Sequence, residues 1–311
     1  MNIIFLGTPQ ISATCLSAII KSKHKVLAVV TKPDKPVGRG GKIQISPVKE
    51  LAQKNNLPVL QFNNISKEGV DIIKKLKPDA LVLVAFGQIL SPEILSIALP
   101  INLHGSLLPN LRGPSPIQTA IIDGLKESGV SVMVMEPTVD TGDIILQKKI
   151  VIEEKDTSAT LFKKMGEVGS KAIVEALDLI ENKKVQFIKQ NHDKATYTQL
   201  LTKENAIIDF NQTTMSIVNK IRGYNPSPVA YFIFKDKKIK VYEAENYTGI
   251  VPKRLYKNGE IVFANSKQGL IVKTNDGFIS LLLLQAPNSK ILKAKDFVNG
   301  YRNLCNQILN S

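Results

Sequence analysis

Residues 80–86 read Ala-Leu-Val-Leu-Val-Ala-Phe, an apolar run of strand length with no position suited to water. Such a strand must be covered on both faces, as a central strand of a parallel sheet is covered by helices. The opening of the chain has the matching pattern. Asn2 to Leu6 is a short apolar strand, Gly7-Thr8-Pro9 turns, Ile11 to Lys21 places Cys15, Ile19 and Ile20 at helical spacing, and Val26 to Thr31 is a second strand. A β-α-β start of this kind predicts an α/β domain with a mostly parallel sheet. Its first turn holds only Gly7 before Thr8 and Pro9, so it lacks the three-glycine fingerprint of a dinucleotide site.

The alternation continues. Helices are expected over Ser46–Asn55 and Lys67–Leu76, and strands over Val59–Gln61, Ile101–His104, Val130–Glu136 and Ile144–Ile152. A long helix is expected over Thr157–Asn182, with Asp156, Thr157 and Ser158 as cap residues. Residues 183–202 show no strong period and read as a linker between a first domain, 1–182, and a second, 203–311. In the second domain a short helix, Thr213–Arg222, precedes five short strands: Ala230–Phe234, Lys238–Ala244, Gly259–Ala264, Gly269–Thr274 and Phe278–Leu284. The spacing and the turn residues between them predict a small β-barrel. A closing helix is expected over Lys295–Leu309.

Composition restricts the function classes. With 43% hydrophobic and 22% charged residues, the chain falls among globular proteins and outside the disordered and fibrous classes. No apolar run reaches membrane-spanning length, and the start carries no leader pattern, so a cytoplasmic protein without membrane association is expected. Cys15 and Cys305 lie far apart, and His24, His104 and His192 are too scattered for a zinc motif, so neither disulfide nor metal is expected. The net charge of +14 is uneven: residues 183–311 hold 20 Lys and Arg against 9 Asp and Glu, net +11. That excess suggests a polyanionic partner for the C-terminal part, most simply nucleic acid.

The chemistry points to Asn102-Leu103-His104-Gly105, where a strand ends. Residues two apart on a strand share a face, so Asn102 and His104 present an amide and an imidazole together. Gly105 then breaks the extension, and Ser106-Leu107-Leu108-Pro109 forms a loop whose backbone groups are expected to be free for a ligand. Open α/β sheets place their sites at such strand ends. Asp140-Thr141-Gly142-Asp143, read together with this pair, places Asp140 in the connection between two strands. The Pro- and Gly-rich connection 32–42, with its lysines and Arg39 against a single acid, Asp34, is a candidate phosphate contact.

Asn102-x-His104, Ser106-Leu107-Leu108-Pro109 and Asp140-x-Gly142-Asp143 together resemble the signature of the formyltransferase family. Gly38-Arg39-Gly40, Arg112-Gly113-Pro114-Ser115-Pro116-Ile117-Gln118 and the C-terminal barrel make the chain similar to the tRNA-modifying branch. The resemblance implies a Rossmann-like first domain, an OB-like second domain, and 10-formyltetrahydrofolate as formyl donor. By the same resemblance the acceptor is the α-amine of methionine on initiator tRNA, and Asn102, His104 and Asp140 are catalytic. Phe86, Gln88, Leu90 and the Ser106, Leu107, Leu108, Pro109 loop would border the folate, and Arg39 with Lys42 would contact tRNA. A monomer without metal is expected. Two alternatives stay open at this point: formylation of a small amine with the same triad, and a tRNA-binding protein on an inactive transferase fold.

Overall fold

Ile3, Ile4, Phe5 and Leu6 are completely buried, and this run makes β1 (Asn2–Gly7) a central strand. In the computed structural model, which describes residues 1–37, 42–301 and 304–309, α1 (Gln10–Ile20) connects β1 to β2 (Lys25–Thr31). The long connection that follows is in part a hairpin, with β3 (Lys35–Val37) antiparallel to β4 (Lys42–Gln44). Its base is pinned: Lys49 pairs with Asp34, and Gln61 Nε2 donates to Lys32 O at 2.8 Å and to Asp34 Oδ1 at 3.0 Å.

Ser46 caps α2 (Pro47–Lys54) by accepting from the Lys49 amide, with proline at the first helical position. β5 (Val59–Gln61) follows. The helix expected over 67–76 is divided into α3 (Ile65–Glu68) and α4 (Val70–Lys75). The division falls at Gly69, where a Cβ would come within 2.8 Å of Ile65 O. β6 (Ala80–Val84), α5 (Pro92–Leu95) and β7 (Leu99–His104) precede α6 (Pro116–Ile122), β8 (Glu127–Val134), β9 (Ile144–Val151) and α7 (Ser158–Glu181).

The strand order is β5-β2-β1-β6-β7-β8-β9, parallel from β5 to β7 and antiparallel for β8 and β9. The expected mostly parallel α/β sheet is therefore observed. β1 starts the sheet near its middle and the chain winds outward to either side, so the carboxyl ends of β1, β6 and β7 line a topological switch point.

The chain divides into two compact units. One comprises Met1–Pro116, Glu127–Val151 and Phe162–Thr198, and the other Ile117–Lys126, Ile152–Leu161 and Gln199–Ser311. Residues 183–198, expected as a linker, are bonded into the first unit instead. Ile188 exchanges backbone hydrogen bonds with Ile144, Arg112 N donates to Thr196 O at 2.8 Å, and Thr198 N donates to Arg112 O at 2.7 Å. This strap has no periodicity because its partners, Ile144 at the start of β9 and Arg112 in a loop, are distant along the chain and do not repeat at a helix or strand interval.

In the second unit, α8 (Thr214–Tyr224) precedes β10 (Tyr231–Phe234), β11 (Lys237–Asn246), β12 (Ile261–Asn265), β13 (Gly269–Lys273) and β14 (Phe278–Gln285). All five expected strands are present, in the antiparallel order β10-β11-β14-β13-β12, with β15 (Leu292–Lys293) on β14. The path stays open between β10 and β12, which makes the expected barrel a half-barrel, filled by one apolar cluster from the strands and from Ile217, Ile221 and Tyr224 of α8. Among the described residues, the closing helix expected over 295–309 is limited to its first turns. α9 (Ala294–Phe297) passes into a single 3-10 turn ending at Gly300, and Ile308 bridges to Glu260 as extended chain. Glycine and several asparagines make this tail a poor helix, and residues 306–309 bond to the backbone of Gly259 and Ile261 instead.

Candidate active site

The alternation of β7 places Asn102 and His104 on one face, with Asn102 opposite Leu83 of β6 and Met133 of β8, and His104 opposite Ser131. His104 is 6% exposed, and its Nε2 lies 2.9 Å from Leu111 O. A carbonyl oxygen only accepts, so Nε2 carries a hydrogen and the ring orientation is set by the backbone. The other ring nitrogen, Nδ1, lies 3.5 Å from Asp140 Oδ1. Among the described residues the half-buried Asn102 amide makes no hydrogen bond, so its donor and acceptor are both available.

Asp140 is held from several sides. Its Oδ2 accepts from Gly113 N at 2.8 Å, and its backbone oxygen accepts from Gln190 Nε2 at 3.0 Å. Its φ of +54° lies in the left-handed region, which a residue with a Cβ adopts at a cost. The turn also needs Gly142, where a Cβ would stand 2.0 Å from Val134 O. These contacts place the carboxylate of a loop residue against the imidazole of a strand residue.

The Ser106–Pro109 loop differs from the expectation of free backbone groups. Ser131 Oγ donates to Ser106 O at 2.6 Å and accepts from Leu108 N at 3.0 Å, Gln147 Nε2 donates to Leu108 O at 2.9 Å, and Asn110 N donates to Leu107 O at 3.2 Å. Ser106 Oγ donates to Asn110 O, and Leu108 packs against Met133 and Ile144. The loop is thus clamped onto β8 and β9, and Leu107 and Pro109 keep partial exposure. Ser131 and Gln147 were not singled out by sequence reading, since a polar residue on an alternating strand is ordinary.

Phe86 and Leu90 are buried in a cluster with Leu6, Phe62, Ile65 and Ile94. Gln88 uses both ends of its amide, accepting from Ile65 N and donating to Phe62 O. These three residues therefore shape the 85–90 loop from within, while Ile89, 90% exposed, is the large apolar side chain that the loop presents outward. Arg39 lies outside the described residues, and Lys42 is described only as the first residue of β4.

Burial pushes the Cys15 thiol up to about 12, which removes it as a nucleophile. Among the described residues, His24, Asp178 and Glu181 form the one group close enough to share a metal ion, with ligand atoms within 4.8 Å of one another. Both acids already meet Lys23 Nζ, at 3.0 and 2.9 Å, and Glu181 also meets the Met1 amine at 2.6 Å.

The chain belongs to the formyl transferase family: residues 1–177 match the family model described as formyl transferase, and residues 200–302 match that of the formyl transferase C-terminal domain. It is a transferase enzyme. A methionyl-tRNA formyltransferase from Sulfurihydrogenibium sp. (strain YO3AOP1) is 41% identical over 309 residues, 97% of each chain. Another, from Clostridioides difficile (strain 630), is 41% identical over 303 residues, 96% of this chain and 97% of that protein. The fold is also similar to the crystal structure of an N-formyltransferase from Helicobacter canadensis in complex with folinic acid and dTDP-3-aminofucose. That likeness has a TM-score of 0.64 and 21% identity, covering 89% of this chain and 97% of the other.

Proposed function

We propose that this enzyme transfers a formyl group from 10-formyltetrahydrofolate to the α-amine of methionine carried by initiator tRNA. The observation that supports it most directly is the oriented His104–Asp140 pair, with Asn102 on the same face of β7 and its amide without a hydrogen bond among the described residues. The end-to-end identity to methionyl-tRNA formyltransferases supports the choice of acceptor.

Attack by a neutral amine on the formyl carbon builds negative charge on the formyl oxygen. Asn102 is suited to donate to that oxygen. The attacking amine must release a proton, and the folate nitrogen must gain one as the carbon–nitrogen bond breaks. His104 Nδ1 is suited to take up the first proton, with Asp140 stabilising the resulting imidazolium, and to return it to the departing nitrogen. No covalent enzyme intermediate is required. The 85–90 loop and the exposed parts of Leu107 and Pro109 would border the folate. Arg39 and Lys42 would meet the acceptor end of the tRNA, and exposed cations of the second unit such as Lys235, Lys237, Lys238 and Lys253 would contact phosphates without reading sequence.

The test compares methionyl-tRNA, uncharged tRNA and a small amine as acceptors with the folate donor. Formylation confined to methionyl-tRNA is expected, and equal use of the small amine would reject the reading. Arg39→Ala is expected to raise KM for methionyl-tRNA by at least about tenfold, on the scale of a lost charge-assisted phosphate contact. Folate affinity should stay unchanged, and equal losses for both substrates would remove Arg39 from the tRNA contact.

A further inference from the structure

The strap brings Gln190 to the centre of an arrangement that acts on Asp140. Gln190 is 6% exposed, and all of its amide valences are used. Nε2 donates to Asp140 O at 3.0 Å and to Gly142 O at 2.7 Å, while Oε1 accepts from Arg112 Nε at 3.2 Å and Arg112 Nη2 at 2.7 Å. The amide orientation follows from the chemistry of its neighbours. Carbonyl oxygens only accept and a guanidinium only donates, so a flipped amide would lose all four bonds.

Arg112 is 1% exposed, and among the described residues no carboxylate lies within ion-pair distance of it. Its remaining donors reach His192 Nδ1 at 3.1 Å and Tyr197 Oη at 3.4 Å, both also on the strap. A buried cation held by neutral acceptors is costly unless each hydrogen bond is well made, so this guanidinium is a rigid anchor rather than a mobile surface charge. The next residue, Gly113, donates its backbone N–H to Asp140 Oδ2. Asp140 is thus gripped at its carboxylate by the 112–113 backbone and at its main chain by Gln190, which is fixed by Arg112.

We infer that Gln190 is a positioning residue: its amide holds the strained Asp140 turn so that the carboxylate faces His104 Nδ1. The inference rests on the catalytic reading of Asp140 given above. On this inference an amide suits the position and a carboxylate does not. A glutamate would still bind Arg112, but it would present oxygen to the oxygens of Asp140 and Gly142 and push the turn away from the imidazole.

The experiment uses the full chain with Gln190→Glu, Asp140→Asn and the double variant, measuring melting temperature, kcat and KM for both substrates. Gln190→Glu is expected to melt within a few degrees of the wild type and to lose kcat by about tenfold or more, the scale of a displaced catalytic group, with folate KM changed less than about threefold. In the double variant, kcat should lie within about twofold of Asp140→Asn alone, because Gln190 acts through Asp140. Losses that multiply, or a kcat for Gln190→Glu within twofold of wild type, would overturn the inference while leaving the role of Asp140 intact. Near-normal turnover by Asp140→Asn would overturn both, and so identifies the parent reading as the failure. Should Gln190→Glu not fold, Gln190→Met, of similar length, is carried through the same cycle with the same criteria.

Discussion

Two histidines of the first unit lie beside aspartates at opposite ends of the parallel strands. His24 precedes β2, and its Nε2 is 3.3 Å from Asp178 Oδ1; His104 ends β7, and its Nδ1 is 3.5 Å from Asp140 Oδ1. By distance alone they are alike. At His24, however, Asp178 and Glu181 are occupied by Lys23 and the Met1 amine, and among the described residues His24 Nε2 makes no hydrogen bond despite its proximity to Asp178 Oδ1. Burial, and then the positive Met1 amine 3.3 Å from Nδ1, hold the imidazole below its ordinary pKa. His104 is oriented by the Leu111 carbonyl and faces an acid held by Gly113 and Gln190. Closeness of histidine to carboxylate therefore does not define a site. What sets His104 apart is a ring fixed by a backbone carbonyl opposite an acid whose position is enforced.

The widest separation between the two is expected in turnover. His104→Ala should lower kcat by roughly 10²–10⁴, the range for loss of a general acid–base, whereas His24→Ala should stay within a few-fold of wild type. Single-turnover assays at saturating substrates measure this, and comparable losses in both would erase the distinction. Asn102→Ala should cost about 10²–10³ in kcat, the scale of a removed oxyanion donor, with folate affinity retained. Near-normal turnover in this variant would place the formyl oxygen elsewhere.

The smallest effect should appear in stability against pH. Because the folded state holds His24 below the ordinary value of about 6.5, the unfolded chain takes up the proton first as pH falls, and stability is lost below that value. Glu181 behaves differently: the Met1 amine and Lys23 hold it down at about 2. Its stabilising pairing is therefore complete above its ordinary range near 4.3 and lost only below that. Between pH 7.5 and 5.5, melting curves should consequently show a decline that is shallower in His24→Gln than in wild type. An unchanged slope would mean that His24 does not titrate with unfolding.

Much of this arrangement could be read locally. The period of two along Ile101–His104 places Asn102 and His104 on one face, and β7 realises that reading. The turn residues separating the five C-terminal strands, among them Asn258-Gly259 and Asp276-Gly277, mark the sheet correctly. The same reasoning fails where partners are remote. Residues 183–198 carry no period, yet they supply the Gln190 amide; a closing helix is expected over 295–309, yet Ile308 pairs with Glu260. The 106–109 loop has the composition of an open ligand loop, but Ser131 and Gln147 on neighbouring strands take up its backbone groups.

Sequence alone determined the class of each half and the chemical types at the end of β7, because strand alternation, turn preference and side-chain character operate between near neighbours. Tertiary structure alone decided which nitrogen of His104 faces Asp140 and what holds that acid in place. The reason is separation along the chain: the Gln190–Asp140 contact spans 50 residues and the Arg112–Gln190 contact 78. No local pattern encodes a hydrogen bond whose two ends meet only after the sheet and its strap have formed.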